Sequence, residues 1–239
     1  AISRILVWLR TNIVKRKEAP MVNFNSGSLV CERYILGPLE VNTYLVYEKG
    51  SSEGILIDPA EDSQTILKRL RELDFKTLTI FLTHGHADHI QGVEFFRKNF
   101  PGSKVAISGE DAAMLPSPNL NLSMFIGDAV EVGNADVLLN DGDTLRTGAH
   151  EGTLVHIAGH TPGGMALIFD GMVFSGDTLF AGSVGRSDFP GGDGKQLIKG
   201  IKEKIFSLSN RQVFPGHGPE TTIADEKSSN PFFGTFFNI

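Results

Sequence analysis

The chain predicts a mixed α/β fold, in an arrangement consistent with two β-sheets facing each other and helices outside them. Three observations point there. Strand-like runs follow one another in each half of the chain, amphipathic helical stretches are interspersed among them, and no linker or shift of composition divides residues 29–239. One domain over 29–239 is expected, preceded by an extension at 1–28. Periodicity does not order strands within a sheet, so the topology is open at this level.

The extension begins AISRILVWLRTNIVKRKEAP, in which Arg4, Arg10, Lys15, Arg16 and Lys17 are set against Glu18 alone. Ile2, Ile5, Leu6, Leu9 and Ile13 recur at helical spacing, which reads as a basic amphipathic helix. Such a segment can lie on a membrane surface, act as a targeting signal or pack on the domain, and packing or an inert extension is the expectation here. LVCERYIL (29–36), VNTYLVYE (41–48) and GILIDP (54–59) are β-rich pieces separated by Gly-Pro and Lys-Gly-Ser-Ser turns. DSQTILKRLRELDF (62–75) reads as a helix, with Ile66, Leu67, Leu70 and Leu73 on one face and Asp62 or Ser63 as N-cap. LTIFLT (78–83) is a short apolar strand, IQGVEFFRKNF (90–100) a helix, KVAIS (104–108) a strand and GEDAAML (109–115) a short helix. Residues 116–134 keep no steady period and read as a long loop able to cover a site. VLLN, GDTLR, GTLVHIA, MALIFD and GMVFSGD then read as successive strands. DGKQLIKGIKEKIFSL (193–208) is helical, QVFPG (212–216) a strand and ETTIADEKSS (220–229) a last helix.

Composition narrows the class. Hydrophobic residues make up 41% and charged residues 21%, as in ordinary globular proteins, and no apolar run reaches the length of a membrane span. A net charge of −6 disfavours nucleic acid as a partner. The single cysteine, Cys31, cannot close a disulfide within the chain, which suits a reducing, cytoplasmic setting. Any metal site must then be built from histidine and carboxylate.

THGHADHI (83–90) holds three of the seven histidines. A strand running into His84-Gly85-His86 places residues i and i+2 on one side of an extended chain, so both imidazoles can converge on one ion. Asp88 and His89 sit where the next helix begins, displaced from the first pair, which suggests two nearby ions. Asp88 has a plain alternative as a helix N-cap. Three further segments end a strand in a glycine-rich turn carrying one ligand-type residue: VHIAGHTPGG with His160, MVFSGDTLFAG with Asp177 and VFPGHGP with His217. His84, His86 and His160 would make one site, and Asp88, His89 and His217 the other. Asp177 can bridge, since each carboxylate oxygen can bind one ion. The mixed nitrogen and oxygen set suits zinc, and also iron or manganese. His156 is expected to be a hydrogen-bonded structural residue, and His150 is assigned nothing.

THGHADH, AGHTPGG, SGDTLF and FPGHGP, in this order, resemble the metallo-β-lactamase superfamily. GSVGRSDFPGGD (182–193) and GHGPETTIADEKSSNPF (216–232) are similar to the compact glyoxalase II-like hydrolases within it. The resemblance covers about residues 29–233. It implies a four-layer αββα sandwich with a dinuclear centre at one edge of the sheets. By the same match His84, His86 and His160 hold the first ion, Asp88, His89 and His217 the second, and Asp177 bridges them. Asp58 in LIDPA matches an aspartate that supports the site from behind, although a turn former before Pro59 is an equal reading.

The resemblance implies two divalent ions, zinc first, and water activated between them for attack on a thioester such as a hydroxyacylglutathione. Asp88 would also orient the nucleophile. No G-x-S-x-G motif offers a serine alternative. Classical glyoxalase II enzymes carry a helical C-terminal domain that helps hold glutathione, and the stretch after His217 is expected to be too short for it. Arg186 is a candidate carboxylate-binding group, with a structural pair to Asp188 as its alternative, and Met124 and Phe125 are candidates for an apolar wall. Rival readings are a one-iron persulfide dioxygenase of the same fold, a hydrolase of another ester, lactone or phosphodiester, and a scaffold on a decayed site.

Overall fold

Alternating burial along each strand shows how the layers arise. In the computed structural model, which describes residues 22–234, Ile55 and Ile57 of one strand face one core while Leu56 between them faces another. That is the period of two expected of a sheet covered on both faces. The basic helix expected over residues 1–20 lies outside the described residues.

The first sheet runs β1 (Val22–Ser26), β2 (Leu29–Leu36), β3 (Val41–Glu48), β4 (Glu53–Ile57), β5 (Thr77–Phe81), β6 (Lys104–Ser108) and β7 (Val137–Leu139), in spatial as well as chain order. Short turns join β1 to β4, and these strands pair antiparallel. From β4 to β7 the pairing is parallel, because a parallel neighbour needs a long crossover. Helix α1 (Gln64–Glu72) provides the first crossover; α2 (Ala87–Ile90) and α3 (Val93–Asn99) provide the second. Ser63 caps α1, its hydroxyl accepting from Ile66 N at 3.2 Å. The third crossover, between β6 and β7, contains a 3₁₀ turn at Ala112–Met114 and one short helix, α4 (Ser123–Ile126).

The second sheet is built from β8 (Thr144–Thr147), β9 (His150–His156), β10 (Met165–Phe169) and β11 (Met172–Gly176), followed by a small separate hairpin, β12 (Leu179–Phe180) and β13 (Ser183–Val184). Helix α5 (Gly194–Gly200) then returns the chain to β14 (Gln212–Pro215), parallel to β11, before β15 (Thr221–Thr222) and α6 (Ile223–Ser229). The strand order is β15-β14-β11-β10-β9-β8.

Three clusters of buried side chains separate the layers. Leu45, Leu56 and Ile80 pack on Ile66, Leu70 and Phe96 of the first helical layer. Tyr44, Ile57 and Phe81 meet Leu167, Phe174 and Phe214 between the sheets. Ala166, Val173 and Val213 meet Leu197, Ile201 and Ile205 on the far side. Helix, sheet, sheet, helix: the four-layer αββα sandwich is the fold observed. Among the described residues no helix is long and apolar enough to cross a membrane.

The structure differs locally from the sequence-based expectation in four places. The boundary expected at residue 29 falls inside a hairpin, since Val22–Ser26 pairs residue by residue with β2. The helix expected over 90–100 is two helices from Ala87 to Asn99, interrupted where Gly92 N bonds Pro59 O at 2.8 Å. The helix expected over 193–208 turns π-helical at Ile201–Ile205. Residues 221–222 join the sheet edge before the last helix starts.

Candidate metal centre

The expected ligands arrive from strand ends. Phe81 ends β5, and Thr83-His84-Gly85-His86 leads into α2, which carries Asp88 and His89. His160 follows β9, Asp177 follows β11 and His217 follows β14. The structure brings all of these together. Ligand atoms of His84, His86 and His160 lie within 4.8 Å of one another, and so do those of Asp88, His89 and His217. His86 Nδ1 is 3.0 Å from His160 Nε2, and His89 Nε2 is 3.3 Å from His217 Nε2. Asp177 lies between the groups: its Oδ1 is 3.5 Å from His89 Nε2, and its Oδ2 is 3.6 Å from both His160 Nε2 and His217 Nε2. Asp88 is not an N-cap. His86 occupies that position, and Asp88 Oδ2 instead faces His217 Nε2 at 3.4 Å and His89 Nε2 at 3.6 Å.

Hydrogen bonds behind the rings decide which nitrogen points inward. His160 Nδ1 donates to Arg186 O at 2.7 Å, and His217 Nδ1 to Leu39 O at 3.0 Å. A carbonyl only accepts, so each ring keeps its proton on Nδ1 and offers a bare Nε2. Asp58 does the same for two more rings. Its Oδ2 takes His89 Nδ1 at 2.9 Å and the Thr83 hydroxyl at 2.7 Å, and that hydroxyl in turn faces His84 Nδ1 at 3.1 Å. Its Oδ1 accepts from Thr83 N at 2.8 Å. Asp58 atoms also lie near His84 and His89, and both of its oxygens take part in these bonds. Its backbone is left-handed, φ 49°, an uncommon conformation for a residue other than glycine. The turn before Pro59 thus presents the carboxylate to Thr83 and His89.

The residues present fit divalent cations. His84 Nε2 and Asp177 Oδ1 are buried without a hydrogen-bond partner, and orphaned buried polar atoms are rare unless something else satisfies them. The charge distribution agrees. Burial, reinforced by neighbouring imidazoles, holds His84 well below its ordinary value and pushes His86 down to about 3. Burial opposes protonation of His89 too, yet Asp177, Asp88 and Asp58 raise it to about 10. Burial likewise opposes ionisation of Asp88, but His89 and His217 keep its carboxyl well below the usual carboxylate range. The metal-free site thus gathers a proton where its carboxylates need positive charge, and a cation can replace it. Close approach is built in at Gly216, where any side chain would run into Asp177 Oδ1 and His89 Cε1.

A cavity of about 890 Å³ opens on this cluster, with His86, Asp88, His160, Asp177 and His217 on its polar side. Leu39, Leu122, Phe125, Phe180 and Phe189 form the apolar side. Phe125 is thus part of the wall, whereas Met124 is exposed and contributes nothing to it. Arg186 also lines the cavity, but its guanidinium is forked to Asp188, Nε–Oδ1 and Nη2–Oδ2 both at 2.8 Å, and lies 3.7 Å over the Phe189 ring. His156 bonds Pro162 O at 2.8 Å from a half-buried position, and His150 meets Ser28 Oγ at 2.8 Å far from the cluster.

A sequence profile described as the metallo-beta-lactamase superfamily matches residues 36–217. The chain belongs to that superfamily. It is 36% identical to a "Probable metallo-hydrolase" of Streptococcus pyogenes serotype M6, over 80% of this chain and 85% of the relative. It is 32% identical to the hydroxyacylglutathione hydrolase GloC of Haemophilus influenzae, over 81% and 93%. Among solved structures, the BLEG-1 B3 metallo-beta-lactamase superposes with TM-score 0.80 at 35% identity, over 85% of this chain and 99% of that one. TTHA1623, solved in a di-iron-bound form, superposes with TM-score 0.71 at 34% identity, over 83% and 98%.

Four residues that brace the loops of this superfamily member's cluster are not among the residues expected from the sequence. Thr83 relays Asp58 to His84, and its place beside the histidine motif was the available signal. Asn42 clamps the turn that carries His217, its Nδ2 donating to Pro215 O at 2.9 Å and Gly218 O at 2.8 Å. The Tyr44 hydroxyl adds a bond to Pro215 O at 2.7 Å. Asp111 accepts from Gly85 N and Gly163 N, in two of the histidine loops. For Asn42 and Asp111 no local pattern exists to be found.

Proposed function

We propose that this metal-dependent hydrolase of the metallo-beta-lactamase superfamily cleaves thioesters at a two-metal centre, with hydroxyacylglutathione-type compounds as the substrate class. The observation that carries it is Asp177 placed between two complete ligand groups, each with bare nitrogens aimed inward. In this reading His84, His86 and His160 would hold one ion and Asp88, His89 and His217 the second, with Asp177 available to both. Divalent ions bound there supply Lewis acidity and lower the pKa of water from about 15.7 toward about 7. Asp58 and Thr83 keep the His84 and His89 rings in the ligating tautomer. Asp88, ionised and on the cavity wall, orients the attacking water by accepting its hydrogen bond. The water oxygen forms a C–O bond at the acyl carbon as one of its protons passes to solvent, the C–S bond breaks, and the thiolate leaves with that bond's electron pair without needing a general acid. The likeness to GloC supports the substrate class.

The full second group weighs against a one-iron dioxygenase, which would leave Asp88, His89 and His217 without a task. The likeness to the di-iron form of TTHA1623 keeps iron beside zinc as the metal to test for. Likeness to a B3 metallo-beta-lactamase adds β-lactam hydrolysis as a side activity to measure. The test is turnover of S-D-lactoylglutathione and of a chromogenic β-lactam by protein of known metal content, with His86→Ala alongside. Metal-replete protein inert on the thioester would remove that substrate class. Equal turnover by His86→Ala would remove the site from the reaction. One iron per chain, with oxygen consumed on glutathione persulfide, would replace the hydrolase reading by the dioxygenase.

A further inference from the structure

Asp111 is fully buried, and its two oxygens serve two different loops. Oδ2 accepts from Gly85 N at 3.2 Å, between His84 and His86. Oδ1 accepts from Gly163 N at 2.7 Å, just beyond His160. The first loop leaves β5 in one sheet and the second leaves β9 in the other, while Asp111 itself follows β6. Contact on both sides is close. A side chain at Gly85 would run into Met114 and the Asp111 carbonyl, and one at Gly163 into Ser108 Oγ and Asp111 itself. The segment that carries Asp111 is also anchored, with Asp111 N on Ser108 O at 3.2 Å and Met114 N on Asp111 O at 2.9 Å. A backbone bond, Met165 N to Thr83 O at 2.8 Å, joins the two sheets where β5 ends and β10 begins. Beside the ligands the Asp111 carboxylate ties the two loops a second time.

We propose that Asp111 is a positioning residue that sets the spacing between the His84/His86 loop and the His160 loop, and through it the affinity of that three-nitrogen position for its ion. The inference rests on the two-metal reading above. Metal affinity depends on ligand placement to a few tenths of an ångström, and His86 Nδ1 and His160 Nε2 stand 3.0 Å apart on backbones that Asp111 alone grips with one side chain among the described residues. The Asp88, His89 and His217 group hangs on other supports, namely Asp58, Asn42 and the Leu39 carbonyl. Loss of Asp111 should therefore weaken one position and spare the other.

The test is calorimetric titration of metal-free wild type, Asp111→Ala and Asp111→Asn with Zn²⁺. His160→Ala and His217→Ala serve to assign which binding event belongs to which position, and thermal unfolding of each metal-free protein is measured alongside. Asn keeps one acceptor oxygen but turns an amide donor toward the other backbone N–H, so it should fall between wild type and Ala. The expected result is a 10–100-fold loss of affinity in the His160-dependent event of Asp111→Ala, with the His217-dependent event unchanged and cooperative unfolding retained. Both events unchanged, or both weakened alike, would overturn the proposal. So would loss of cooperative unfolding in both variants, because the carboxylate would then be holding the fold and not the ligand spacing. A wild type with no His160-dependent event would overturn the two-metal reading along with it.

Discussion

Asp177 reaches both histidine groups with separate oxygens, Oδ1 lying 3.5 Å from His89 Nε2 and Oδ2 lying 3.6 Å from His160 Nε2. An amide would keep the shape but lose the charge and one acceptor. Asp177→Asn is expected to drop metal content from two ions per chain toward one or none. Turnover should fall by roughly three orders of magnitude, about 4 kcal/mol of barrier. Metal analysis beside kcat checks this, and two retained ions with near-normal kcat would take Asp177 out of the bridge.

Asp58 supports two rings from one strained position. Asparagine tolerates the left-handed backbone at φ 49° about as well as aspartate does, so Asp58→Asn should fold. It replaces one acceptor oxygen by a donor, so the bonds to Oδ2 from His89 and the Thr83 hydroxyl and the bond to Oδ1 from Thr83 N cannot all survive. A 10–100-fold loss of metal affinity is expected, with the metal-free melting temperature shifted far less. A variant that binds metal normally would reduce Asp58 to a turn residue.

Arg186 lines the cavity but is already engaged by Asp188 and Phe189. An exposed pair of this kind is easily exchanged with solvent. Arg186→Ala is accordingly expected to change KM for a glutathione thioester by about threefold or less, with kcat unchanged. A much larger rise in KM, restricted to substrates bearing a carboxylate, would show instead that the fork opens to bind them.

The metal-free protein should be most stable near pH 6.5, the ordinary histidine pKa. Below it, His84 and His86 are neutral in the fold but protonated when unfolded, since burial depresses both, His86 to about 3. Their stabilisation is present above 6.5 and is lost as pH falls. Burial opposes protonation of His89, but the surrounding carboxylates raise it to about 10, so its contribution is lost as pH climbs from 6.5 through 10. Urea unfolding across pH 4–9 should trace a peak in the metal-free form, and saturating Zn²⁺ should remove the alkaline decline by displacing the His89 proton. A flat profile in the metal-free form would contradict these shifts.

Phe174 stacks on Phe214 at 5.1 Å and meets Tyr44 edge-on at 5.3 Å in the core between the sheets. Phe174→Ala should cost about 3–5 kcal/mol, read as a lower urea midpoint with an unchanged slope.

Much of the fold and the candidate site is legible locally. Ile55, Leu56 and Ile57 announce a strand buried on both faces, and Ser63 marks a helix start because its hydroxyl caps a backbone amide three residues on. The ligand-type residues stand out because each follows a strand and adjoins glycine, a pattern contained within a few positions. β1 is less visible, since its pairing with β2 is what makes it a strand. Asn42 and Asp111 are not visible at all. Their partners lie far along the chain, at Pro215 and at Gly85 and Gly163, and nothing beside either residue records those bonds.

By itself, then, the sequence determined the chemistry on offer: an α/β chain whose histidines and carboxylates can gather metal, with no serine motif to replace them. Tertiary structure alone decided how that chemistry is aimed. His84, His89, His160 and His217 turn Nε2 inward because Thr83, Asp58 and the Arg186 and Leu39 carbonyls occupy the opposite nitrogen, while His86 presents Nδ1. The two nitrogens of an imidazole are equivalent in a sequence and become distinct only when a partner from elsewhere in the fold takes the proton of one.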